Sequence, residues 1–161
     1  MSDEIRNLTT ASLKEGEVLP SLSHDVTTST VVLGAMASRD WRPMHHDRSF
    51  AVDRNGTKDI FMNTPNQAAW FERYLTDWTG PKGRLGKIQF RMKDSVFPGD
   101  TMVFNGKVAS VETDAVGCGW ANLQLTLSVG GKPVTDCTAR IALPVDADDN
   151  PWKRTGDDWK P

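Results

Sequence analysis

NTPNQAAWFERYLTDWTG, residues 63–80, sets Ala68, Trp70, Phe71, Tyr74, Leu75 and Trp78 at the intervals that bring side chains onto one face of an α-helix. Thr64 reads as the cap, Pro65 as the first helical residue, where its missing N–H costs nothing, and Gln67 as the partner that completes a capping box. Gly80-Pro81 ends the run. A helix this apolar needs a cover, and the sequence after it supplies one. KIQFRMKD (87–94), TMVFNGKVASVE (101–112), WANLQLTLSV (120–129) and PVTDCTARIAL (133–143) have strand character, with turns at Phe97-Pro98-Gly99-Asp100 and Gly130-Gly131. They read as an antiparallel meander. One helix can be covered by such strands only if the sheet curls around it, so the predicted class is α+β, a sheet wrapped about a long central helix. Edge strands and part of the helix stay uncovered, which predicts a dimer or a higher oligomer.

Upstream, GEVLPSLSHDV (16–26) reads as irregular extended chain. TTSTVVLGAMASRD (27–40) reads as a short helix capped by Thr28 or Ser29 and carrying Val31, Val32, Leu33, Ala35 and Met36. AVDRNGTKD (51–59) reads as a loop. The predicted organisation is an N-terminal polar segment at 1–15, one domain at 16–143 and a flexible acidic tail at 144–161, in which Trp152 and Trp159 suggest docking on a neighbour.

Composition narrows the function classes. At 161 residues the chain holds one core of ordinary size. A net charge of -2, with basic residues scattered among acids, gives no field for a phosphate backbone, so nucleic acid is not an expected partner. No stretch is apolar for long enough to cross a bilayer, and the start MSDEIRNLTT lacks the plan of a signal peptide, which predicts a cytoplasmic chain without a membrane partner. Cys118 and Cys137 are then expected as reduced, structural residues in strands.

The stretch that carries chemistry is SRDWRPMHHD, residues 38–47, followed by Ala51. Asp40 and His45 are separated by four residues, Pro43 stands two before the histidine, Asp47 two after it and Ala51 six after it. This pattern resembles the hydratase motif of the MaoC-like, (R)-specific enoyl-CoA hydratase and acyl dehydratase family, which has the hot-dog fold. The resemblance extends from about Gly16 to Leu143. The family usually has glycine before the aspartate and asparagine two after it, where this chain has Arg39 and Arg42, and Asn63 replaces the glycine common at the start of the central helix.

The resemblance implies addition of water to a 2-enoyl thioester, giving a 3-hydroxyacyl thioester, or the reverse. It implies no metal and no cofactor beyond coenzyme A as part of the substrate. The partner molecule is an acyl-CoA or acyl-carrier thioester, and the assembly a homodimer or a hetero-oligomer with a related hot-dog chain. The chemistry needs a base for the water, a proton for the α-carbon and donors for the enolate oxygen between them. Asp40 is expected as the base, with His45 orienting the water or relaying a proton, in a turn stiffened by Pro43. Backbone N–H groups of Asn63 and Thr64 are expected to hold the oxyanion at the helix N-terminus, Asn63 being one of the few residues that tolerate a left-handed backbone in place of glycine. Arg42 and Trp70 are the candidate substrate contacts, at the phosphates and along the acyl chain.

Simpler readings stand beside these. Asp40 fits the end of the preceding helix. His45-His46-Asp47 is a poor metal cluster, because adjacent residues rarely ligate one ion together; His46 reads as a solvated neighbour and Asp47 as a buttress of the loop. The Trp70, Phe71, Tyr74, Trp78 set reads first as core and interface. Arg39 and Arg42 fit solvated charges, and Lys82, Arg84 and Lys87 form a sparse basic stretch. Two other functions compete with the hydratase: a non-catalytic subunit that binds acyl thioesters beside a catalytic paralogue, and a thioesterase on the same fold.

Overall fold

A computed structural model describes residues 8–161. Residues 1–7 of the predicted N-terminal segment lie outside the described residues. The rest of that segment is not simply polar: Leu8 and Leu13 join the main core.

The central helix, α3 (Thr64–Thr79), runs between the expected ends, and Gly80 at φ 78° stops it in a conformation that suits glycine. It buries Phe71, Tyr74, Leu75 and Trp78. The cap differs from expectation. Asn63 is the N-cap, its side-chain oxygen accepting from the Asn66 N–H, so Thr64 is the first helical residue. Gln67 makes no capping box, because its side chain points inward and its oxygen accepts from Thr135 Oγ1 at 2.9 Å in the core.

Five antiparallel strands form one sheet: β1 (Leu22–Asp25), β2 (Arg84–Met92), β3 (Thr101–Thr113), β4 (Gly119–Val129) and β5 (Lys132–Leu143), in the order β1-β3-β4-β5-β2. Only β3, β4 and β5 form the expected meander. The chain returns β2 to the far side of β5, with Phe90 opposite Cys137, and the extended segment upstream supplies β1, with Leu22 opposite Phe104. The sheet curls as the sequence requires. Phe71 packs on Phe104 of β3 at 5.1 Å and on Phe90 of β2 at 6.1 Å, so one helix face meets strands from both halves of the sheet. Along β4, Leu123, Leu125 and Leu127 point into this core while Gln124 stays exposed. Cys118, just before β4, and Cys137 of β5 are free and buried, and burial pushes the Cys137 thiol up to about 12.

Trp120 breaks the pattern. It shares the outward parity of Asn122 and Gln124, yet it is fully buried, because the C-terminal segment covers it. Trp159 packs on Trp120 with centroids 5.1 Å apart, and Arg84 lies 3.6 Å from the Trp159 centroid. Gly86 sits at the bulge of β2, where a Cβ would lie 2.6 Å from both Trp120 and Pro161; only glycine leaves room for the ring and the C-terminal proline. The segment expected as a flexible tail is therefore laid on the chain's own sheet. The sparse basic stretch holds it there: Lys82 donates to the Ala147 carbonyl, and Arg84 to those of Pro151 and Arg154.

Two short helices complete the fold. α1 (Thr28–Ala37) is capped by Thr27, one residue earlier than expected, and α2 (Arg48–Asp53) occupies part of the expected loop. Asp47 caps α2 by accepting from the Phe50 N–H at 3.0 Å. No helix among the described residues is long and apolar enough to cross a membrane.

Candidate active site

The site forms where the C-terminus of α1 meets the N-terminus of α3. Gly34 allows the approach: a Cβ there would sit 2.0 Å from the Asn66 side chain, which donates to the Thr30 carbonyl at 3.0 Å. Asn66 of α3 thus lies against the backbone of α1. α1 then stops in a Schellman turn, with the Arg39 N–H bonded to the Met36 carbonyl and the Asp40 N–H to that of Ala35. Such a turn needs a left-handed residue. Arg39 supplies it at φ 54°, the single non-glycine residue with positive φ among those described. Asn63, expected to adopt that conformation, has φ -78° and ψ 164°, because a capping residue is extended.

The turn aims Asp40 at Asn63. The Asn63 amide donates to Asp40 Oδ2 at 3.0 Å and to Ser38 Oγ at 2.8 Å, while its oxygen caps α3. Asn63 is 1% exposed, and its side chain both caps α3, a task expected of Thr64, and holds Asp40, beside the oxyanion role expected of its backbone. Arg42 closes on the same carboxylate as a fork, Nε to Oδ1 and Nη2 to Oδ2, both at 2.8 Å, with its own N–H at 3.4 Å from Oδ1. The Arg42 guanidinium, and after it the Asn63 amide, hold the Asp40 carboxyl well below the usual carboxylate range against the opposing effect of burial.

A short 3-10 turn, Pro43–His45, places His45 across from Asp40. Its ring is buried, with Nδ1 2.8 Å from the Phe61 carbonyl and the Phe61 ring edge-on at 4.9 Å. A carbonyl only accepts, so Nδ1 carries a hydrogen, and Nε2, which would bear the lone pair of a neutral ring, lies 3.6 Å from Asp40 Oδ2. His46 is exposed while His45 is buried, so the adjacent histidines face different surroundings.

The structure brings Asp40, His45, Arg42 and the Asn63 side chain together. Thr64 stands at the first position of α3, where helical N–H groups lack intrahelical acceptors. Trp70 lies farther along the same helix, between His24 at 4.2 Å and Phe104 at 6.4 Å, with Arg73 over its ring. Arg42 spends Nε and Nη2 on Asp40. That pairing carried no signal beyond two opposite charges two residues apart. Trp41 and Leu33, each 65% exposed, present apolar surface next to the site and in α1. A concavity of about 560 Å³ lies elsewhere, on the outer sheet face around Gln89, Gln124 and Thr138, away from Asp40 and His45.

No family model matches the chain. The 3-oxo-4,17-pregnadiene-20-carboxyl-CoA hydratase beta subunit of Mycobacterium tuberculosis is 38% identical over 96 residues, which is 60% of this chain and 74% of that protein. The ChsH1-ChsH2 complex from the same organism contains a chain that superposes with a TM-score of 0.74 at 30% identity, covering 81% of this chain and 98% of that one. An (R)-hydratase from A. caviae gives a TM-score of 0.73 over 83% of this chain and 98% of its own; at 24% identity it shares the fold.

Proposed function

This chain belongs to the MaoC-like hot-dog family of hydratases and dehydratases, and on that premise we propose that it interconverts a 2-enoyl thioester and a 3-hydroxyacyl thioester. The observation that carries the proposal is the convergence of Asp40 and His45, at 3.6 Å, beside the free end of α3. In hydration, a water loses its proton to this pair as its oxygen bonds to the β-carbon. The electron pair of the double bond moves toward the thioester carbonyl, and the enolate oxygen takes hydrogen bonds from the N–H groups of Asn63 and Thr64, with the positive end of the helix dipole behind them. The proton held by the pair then passes to the α-carbon, the thioester carbonyl is restored and the pair returns to its starting state. Dehydration runs the same steps backward.

The substrate is an acyl-CoA or acyl-carrier thioester, and Trp70 with the neighbouring apolar surface serves its acyl part. Likeness to a hydratase beta subunit and to a chain of the ChsH1-ChsH2 complex supports assembly with a related hot-dog chain. A second reading, a non-catalytic subunit beside a catalytic paralogue, is favoured by the hold of Arg42 on both oxygens of Asp40.

Product analysis decides among them. The purified chain is mixed with crotonyl-CoA and longer enoyl-CoA substrates, alone and together with a related hot-dog chain. A 3-hydroxyacyl thioester whose formation slows in Asp40→Asn and falls further in His45→Ala is the expected result. Free coenzyme A would instead mark a thioesterase, and no product in any combination would leave only the binding role.

A further inference from the structure

We infer that Arg42 divides the work between Asp40 and His45: it occupies the carboxylate so completely that His45 Nε2 is the general base, and Asp40 acts as the fixed charge that stabilises the imidazolium. The inference rests on the hydratase reading above and adds a role for a residue at which this chain departs from the pattern of its family.

The hydrogen-bond capacity of Asp40 is filled. A carboxylate has about four lone-pair sites. Asp40 Oδ1 faces Arg42 Nε at 2.8 Å and the Arg42 N–H at 3.4 Å. Oδ2 faces Arg42 Nη2 at 2.8 Å and Asn63 Nδ2 at 3.0 Å. Four N–H groups thus meet both oxygens, and a water brought to this carboxylate finds no well-directed lone pair. A carboxylate forked by a guanidinium is also a weaker base, since taking a proton would break two charge-assisted bonds.

His45 is in the opposite condition. Its Nδ1–H is spent on the Phe61 carbonyl, which fixes the ring plane and leaves the Nε2 lone pair as the vacant acceptor at the site. Proton transfer from water to Nε2 makes an imidazolium 3.6 Å from Asp40 Oδ2, and the negative charge needed to stabilise it is already in place. The charged groups around the ring support this reading. Asp40 lies across the site, with Arg42 on its far side; Asp47, next in the chain but one, is turned to the start of α2. The exposed His46 follows directly, and behind Phe61 stands Phe97, whose ring carries Lys58 at 4.4 Å. Asp40 is the acidic group with a direct contact to His45.

The test is the pH dependence of kcat/KM for hydration of crotonyl-CoA by the full chain, with its partner chain where that is needed for activity, in the wild type and in Asp40→Asn, His45→Ala, His45→Gln and Arg42→Gln. The wild type is expected to lose activity on acidification, along an acid limb of its profile that depends on His45. Both His45 variants should fall by about a hundredfold or more, losing that limb, while Asp40→Asn keeps the limb at a rate about tenfold higher than theirs. In the Arg42→Gln background, where the carboxylate is released, Asp40→Asn should cost more than it does in the wild type. Circular dichroism of each variant separates misfolding from lost chemistry. A wild-type limb in the carboxylate range, or an Asp40→Asn loss as deep as that of His45→Ala and unaltered by Arg42→Gln, overturns the assignment while leaving the hydratase intact. Absence of hydration by the wild type in every combination overturns the hydratase reading, and this inference with it.

Discussion

The Nδ2 of Asn63 lies 3.0 Å from Asp40 Oδ2, while the Oδ1 of the same side chain caps the central helix. One amide therefore couples the stability of α3 to the placement of the carboxylate. Asn63→Gly should lose both, costing a few tenths to about 1 kcal/mol for the cap and lowering turnover by about tenfold or more. Asn63→Asp separates the two effects. It keeps an acceptor for the Asn66 N–H but sets a second carboxylate against Asp40, so urea denaturation should show a nearly retained helix while turnover collapses. Equal, small effects of both variants on turnover would remove the Asn63 side chain from the site.

Arg39 pays a conformational cost at φ 54°, because a β-carbon crowds the backbone in the left-handed region. Its N–H completes the turn that aims Asp40, and neither bond of that turn uses its side chain. Arg39→Gly should therefore stabilise the chain by about 0.5–1 kcal/mol, the relief exceeding the extra freedom of glycine in the unfolded chain, and leave kcat within about twofold of wild type. Differential scanning calorimetry checks the first half. A lower Tm would mean that the Arg39 side chain makes a contact outweighing the strain.

These two residues show where sequence reasoning reached and where it stopped. The span of α3 and the inward leucines of β4 were legible, since each follows from a period of hydrophobic residues. The order of the strands was not, because the same alternation serves a meander and a sheet in which β2 crosses to the far side of β5. Nor was the burial of Trp120, whose cover comes from Trp159 at the far end of the chain. At the site, the spacing of Asp40 and His45 pointed to a pair, and the structure places them together. The roles of Arg39, Arg42 and Asn63 depend on backbone angles and on contacts such as the bond between Asn63 and Asp40, 23 residues apart in sequence, which no local pattern encodes.

The approach of those two helices depends on Gly34. A methyl group there would lie 2.0 Å from the Asn66 amide, a distance at which something must move. Gly34→Ala improves helix propensity by about 1 kcal/mol in isolation, yet the clash should reverse the sign and leave a net loss of about 1–3 kcal/mol. Turnover should fall as well, since Asp40 and Asn63 ride on the two helices. Asn66→Ala in the same chain removes the obstructing amide, so the double variant should be more stable than the sum of the single losses implies. Strict additivity in denaturant melts would show that the two side chains do not meet.

The pairing of Arg42 with Asp40 has a consequence for stability as pH changes. Arg42 is the largest cause of the low carboxyl pKa of Asp40, with Asn63 second. The folded value lies below that of the unfolded chain, about 3.9, so ionisation of Asp40 favours the folded state. That contribution is whole above the unfolded value and is lost as pH falls through the folded one. Arg42→Gln removes the largest cause, so the stability gap between wild type and variant should stay constant from pH 7 to about 5 and close below about 4. The gap should be small and should shrink in salt, because the Arg42 side chain is 63% exposed and that of Asp40 10%. Urea denaturation of both chains at pH 7, 5 and 3.5, in low and high salt, measures it. A gap that widens on acidification would contradict the sign of the linkage, and no gap at any pH in low salt would assign the low pKa of Asp40 to the Asn63 amide in place of the guanidinium.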